Sequence, residues 1–76
     1  MSAVSALQSC ISRASEYSED ELFDAKMSFL SDISKHDSLK HVCDNPLTFV
    51  IINSATTKSE LIKAMKGFNV WIICNK

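Results

Sequence analysis

Two runs of apolar residues, Leu47 to Ile52 and Val70 to Cys74, limit what this chain can fold into more than any other feature. Both are rich in β-branched and aromatic side chains, which favour extended backbone, so 47–52 and 69–74 read as strands. Between them Thr57 and Glu60 stand at capping-box spacing. Leu61, Ile62, Ala64 and Met65 supply an apolar face, and Gly67 falls where a helix end takes its left-handed residue. That middle segment reads as a helix of about nine residues, and a helix between two strands favours a parallel, right-handed crossover. Strands that are continuously apolar suit a sheet covered on both faces.

The first half of the chain supplies such a cover. Val4, Leu7, Ile11 and Ala14 recur at helical steps with Ala3, Ala6 and Cys10 beside them, so residues 2–16 read as a helix. Ser18 and Glu21 form a capping box that opens a second helix over 19–35, with Leu22, Phe23, the Lys26 stem, Phe29, Leu30 and Ile33 on its apolar side. The two pair as a helical hairpin. A short turn through Leu39, Val42 and Cys43 ends at Asn45–Pro46, because a residue before proline avoids helical backbone. The expected fold is therefore α/β, bordering on α+β, in one domain: a helical part over 1–45 and a strand–helix–strand part over 46–76.

Seventy-six residues offer little core. Ordering them costs roughly 1.5 kcal/mol per residue, which burial in so short a chain barely offsets. A two-stranded sheet is itself marginal, and strand 69–74 carries neither proline nor internal charge to blunt its edge. The sequence thus predicts completion of the sheet by a second copy, a homodimer, or by a strand from another protein. Val70 and Ile72 would carry the edge pairing, and Trp71, if outward, would anchor a partner. Ser5, Ser9 and Ser12, at helical spacing on a weakly charged face, are further candidates for self-association.

Eight Lys and Arg against nine Asp and Glu leave a net charge of −1, without the positive field of a non-specific nucleic-acid binder. The charge is unevenly shared: residues 1–37 carry net −4 and residues 38–76 net +3. Glu16, Glu19, Asp20, Glu21 and Asp24 form an acidic cluster at one end of the hairpin, a candidate face for a basic protein surface.

Catalytic chemistry finds little material. His36, His41 and Cys43 lack the paired spacing of common zinc modules. A Cys–His pair would still need an oxyanion hole and a cleft. Gly67 follows a helix where a phosphate loop would precede one. No cofactor and no metal are expected. Three unpaired-looking cysteines, no signal-like N-terminus and apolar runs too short to span a bilayer predict a soluble cytoplasmic protein without membrane association.

From Pro46 to Cys74, ending in GFNVWIIC, the element order resembles the closing strand, helix and strand of barstar-type ribonuclease inhibitors. That likeness covers under half the chain and brings no site residues with it. The sequence reading is a small non-enzymatic modulator or inhibitor that masks a surface of another protein, such as a repressor or nuclease. Its alternative is a small dimeric DNA-binding regulator using Lys58, Lys63 and Lys66.

Overall fold

A computed structural model of the chain describes residues 2–74, and among them every regular element is helical. α1 spans Ala3–Ser15, α2 Leu22–Ser34, α3 Lys40–Cys43, α4 Pro46–Ser54 and α5 Lys58–Cys74, with 3-10 turns at Glu19–Glu21 and Asp37–Leu39. The expected α/β architecture is thus corrected to an all-α bundle. The likeness to a barstar-type strand–helix–strand falls with it, since the described residues contain no strand.

Local chemistry explains the first correction. Asn45 and Pro46 end α3 and at once begin α4: the Asn45 side chain accepts the Leu47 N–H at 2.9 Å, and Pro46 occupies the first turn. Proline suits that position because its missing N–H would have no partner there and its φ is already helical. Once started, 47–52 buries only the side it can turn inward. Thr48 and Ile52 lie in the core, four residues apart, and the Thr48 hydroxyl donates to the Val42 carbonyl.

The second correction turns on Gly67. It lies inside α5, without positive φ, and the helix continues to Cys74 instead of ending there. Leu61, Met65, Phe68 and Ile72, spaced by four, three and four, form one buried stripe that crosses the glycine uninterrupted. At the start of α5, Thr57 Oγ1 accepts the Glu60 N–H at 3.1 Å. The Glu60 carboxylate takes the Thr56 hydroxyl at 2.6 Å instead of closing a full box on Thr57.

The helical hairpin forms as its spacing predicts. Ser2 caps α1 by accepting the Ser5 N–H, and the Ser18–Glu21 box sets the turn before α2. α1 buries Ala6, Leu7, Cys10 and Ala14, and α2 buries Ala25, Phe29 and Ile33. α5 packs on α1 where the sheet was expected. Phe29 of α2 stacks on Phe68 of α5 with ring centroids 6.0 Å apart, and Trp71 meets Phe68 edge-on at 5.0 Å. Stacked and edge-to-face rings add to the burial of so much apolar area, and the Phe29–Phe68 stack ties the last helix to the hairpin. Buried side chains from all five helices join in one core. No helix among the described residues is long and apolar enough to cross a membrane.

Candidate functional site

Two surfaces stand out: a polar groove between α1 and α2, and the apolar outside of α4. The groove follows from helical spacing. Cys10, Arg13 and Tyr17 fall along one edge of α1 and its exit, while Ser28, Asp32 and Lys35 fall along the facing edge of α2. Two hollows result that share Arg13 and Asp32. The larger, about 520 Å³, is lined by Arg13, Glu16, Tyr17, Glu21, Ser28 and Asp32. The smaller, about 280 Å³, is lined by Ser9, Cys10, Arg13, Asp32, Lys35 and His36.

Asp32 is the unusual member. The residue is only 8% exposed, in a position between Phe29 and Ile33 of the core stripe. Its Oδ1 faces Arg13 Nη1 and Lys35 Nζ, each at 3.8 Å, and those two side chains are 72% and 68% exposed. Its Oδ2 is buried without a hydrogen-bond partner. A buried carboxylate ordinarily has donors, because losing water without replacing its hydrogen bonds is costly. Beside it, burial raises the Cys10 thiol pKa, the Asp32 charge adds to that rise, and Arg13 partly opposes it. Cys10 is therefore held as the neutral thiol, opposite to what a nucleophilic cysteine requires.

The structure divides the predicted acidic cluster. Glu19 is a structural cap, its two carboxylate oxygens accepting the Lys58 N–H at 3.2 and 3.1 Å and so fixing the start of α5 beside the start of α2. Glu21 caps locally, with both Ser18 bonds going to Oε1. Glu16 and Glu21 line the larger hollow, whereas Asp20 and Asp24 are simply exposed. Asp32, outside that cluster, is the buried acid of the hairpin. The spacing of Asp32 to Lys35, three residues on, is a local signal for one ion pair, but Arg13 comes from another helix and nothing local announces it.

The strand-edge residues change character. With 69–74 helical there is no sheet edge, and Val70 and Ile72 cannot pair with a second copy or a partner through one. Ile72 is buried and Trp71 half-buried, while Val70 and Ile73 lie exposed on the outer side of α5. Ser5, Ser9 and Ser12 remain exposed along α1, and Lys63 and Lys66 are exposed on α5.

α4 is apolar on both its inner and outer sides from Leu47 to Ile52, with polar Asn53 and Ser54 at its end. Its nine residues carry no charge, and Leu47, Phe49 and Val50 are 56%, 55% and 56% exposed. At roughly 100° per residue, these three spread over about 160° of the perimeter on the side away from Thr48 and Ile52. A short helix with apolar residues on both sides is normally covered on both sides. The sequence run that resembled a buried strand is thus half of a helix core and half of an outward surface.

Among the described residues, no three His, Cys, Asp or Glu side chains converge as metal ligands, and Cys10, Cys43 and Cys74 are unbridged. Comparison with protein-family models, with curated proteins and with solved structures gives no match.

Proposed function

We propose that this chain is a non-enzymatic protein-binding modulator that masks a surface of another protein, with α4 as its anchor. The observation that carries this reading is the outward exposure of Leu47, Phe49 and Val50 on an uncharged helix. Isolated exposed apolar residues are ordinary, but three on the outer face of one nine-residue helix, with Asn53 and Ser54 on the turn after them, form a cluster of the kind that marks interaction sites.

The geometry favours one kind of occupant, an apolar groove on a partner. Two copies meeting α4 to α4 would each contribute only a few hundred Å², against about 800 Å² per partner in a stable interface. Such a flat contact would also leave Leu47 or Phe49 uncovered, because they flank Val50 on opposite sides. A groove covers a helix from three sides and matches the 160° spread, about the arc used when a helix inserts into an apolar cleft. A lipid surface fits poorly: interfacial helices carry Lys or Arg on their polar side, and α4 has none.

The test begins with a photo-crosslinking residue at position 50 and, as control, at exposed Ser31 in cells that express the chain. Any protein trapped at 50 alone is purified and titrated calorimetrically. Val50→Glu is expected to weaken binding at least roughly 30-fold, since it sets a charge in a desolvated pocket. Unchanged affinity, with the fold verified by circular dichroism, would refute α4 as the anchor. So would a concentration-dependent dimer in light scattering that Val50→Glu dissolves, because α4 would then serve self-association.

A further inference from the structure

We propose that α4 is a conformational switch: on leaving the bundle, residues 47–53 pair as a strand with the same residues of further copies of this chain and build a cross-β assembly. The native fold stays all-α, and the inference does not depend on any partner that α4 binds.

Local composition and observed structure disagree sharply here. Asp44 and Lys58 bound thirteen residues without a charge, and Leu47–Asn53 contains neither proline nor glycine. Thr48, Val50, Ile51 and Ile52 are β-branched and Phe49 is aromatic, types that favour strands and are middling helix formers. Uncharged segments of about six or seven residues with such propensity, and without proline, are the ones that stack as strands from many chains. Stacking in register sets Phe49 on Phe49 and Asn53 on Asn53, and both aromatic stacks and asparagine ladders strengthen such assemblies. No charge within the run opposes identical neighbours.

The structure lets this segment out with little else disturbed. Of the nine residues of α4 only Thr48 and Ile52 are buried, and Leu47, Phe49 and Val50 already face solvent. Among the described residues, two side-chain hydrogen bonds tie α4 to neighbouring helices: the Thr48 hydroxyl donates to the Val42 carbonyl, and Lys26 Nζ donates to the Asn53 carbonyl at 3.1 Å. As a helix α4 is about 14 Å long, whereas the chain from Asp44 to Lys58 reaches about 45 Å when extended. The segment can therefore loop out while α3 and α5 keep their places, a local opening of the kind that small elements with few buried contacts undergo. The run at 69–74 has similar composition but a different hold. It ends a seventeen-residue helix, with Ile72 buried and Trp71 against Phe68, so it comes free only when the core opens.

The test is agitation of the full chain at neutral pH, with a reductant because Cys74 is exposed, followed by thioflavin fluorescence and X-ray fibre diffraction. Fibres with reflections at about 4.7 Å and about 10 Å are expected. Hydrogen exchange read by mass spectrometry is expected to place their protected core at 47–53. Val50→Lys is expected to slow growth at least roughly tenfold, because it stacks like charges in register. Ile73→Lys is the control, since Ile73 and Val50 are comparably exposed, at 60% and 56%, and only Val50 lies in the segment. It is expected to leave growth within about twofold of the unmodified chain. Asn45→Ala, which loosens the start of α4, is expected to speed growth about fivefold. Circular dichroism checks that each variant starts from the native fold, and Phe49→Lys, also at an exposed position, takes the place of Val50→Lys should that variant not fold. No fibres, precipitate without those reflections, a protected core at 69–74, equal slowing by Ile73→Lys, or growth unchanged by Asn45→Ala would overturn the switch.

Discussion

Replacing Gly67 with alanine is expected to stabilise this protein by about 1 kcal/mol. Gly67 lies ten residues into α5, takes no positive φ and is exposed on the outer side of the helix. A Cβ built there meets nothing within 4 Å, so the substitution carries no steric cost. Glycine inside a helix loses about 0.8–1 kcal/mol relative to alanine, because the unfolded chain gives up more freedom and the helix gains no side-chain contact. For a domain of this size, 1 kcal/mol corresponds to a rise of about 4–8 °C in Tm, or to a urea midpoint higher by roughly 0.5–1 M. Thermal and urea unfolding followed by far-ultraviolet circular dichroism measures both. A left-handed glycine at a helix end gives the opposite sign, since alanine there would be strained. Destabilisation by Gly67→Ala would therefore refute the continuous α5 and the placement of Phe68, Trp71 and Ile72 on it.

Asn45→Ala is expected to cost about 1 kcal/mol in urea unfolding, because it removes the side-chain acceptor at the start of α4. Glu60 titrates below its usual range, chiefly through the Thr56 hydroxyl and then the Thr56 N–H. Its folded pKa is thus lower than its unfolded one, so its contribution is present above the usual glutamate pKa and fades as pH falls through the folded value. Thr56→Val should flatten that acid limb of a urea-midpoint profile, and an unchanged profile would contradict the bond. With a thiol-reactive disulfide reagent, exposed Cys74 should react first, half-buried Cys43 more slowly, and Cys10 only on unfolding, because burial and Asp32 raise its pKa. Fast reaction of Cys10 in the native protein would mean that α1 does not pack as described.

Local chemistry alone determined the N-terminal half. The spacing of Leu7, Cys10 and Ala14, the Ser18–Glu21 box and the break at Asn45–Pro46 each involve residues within a few positions of one another, so α1, α2 and the turn between them are legible in sequence. The periodic signal was there for α5 as well, in Leu61, Met65, Phe68 and Ile72, but Gly67 and the β-branched tail after it argue locally for a stop and a strand.

Tertiary structure decided what composition left open. A run such as Leu47–Ile52 has no period of its own, so neighbours choose between helix and strand: Asn45 and Pro46 start a helix, and Val42 receives the Thr48 hydroxyl. Two isolated strands would have found no further strand to pair with, whereas one long helix can lay Phe68 on Phe29 and close the core. Only that packing turns Ile72 inward, leaves Phe49 and Val50 outward, and brings Asp32 of α2 beneath Arg13 of α1. These outcomes depend on contacts between residues far apart in the chain, such as Phe29 with Phe68 and Arg13 with Asp32.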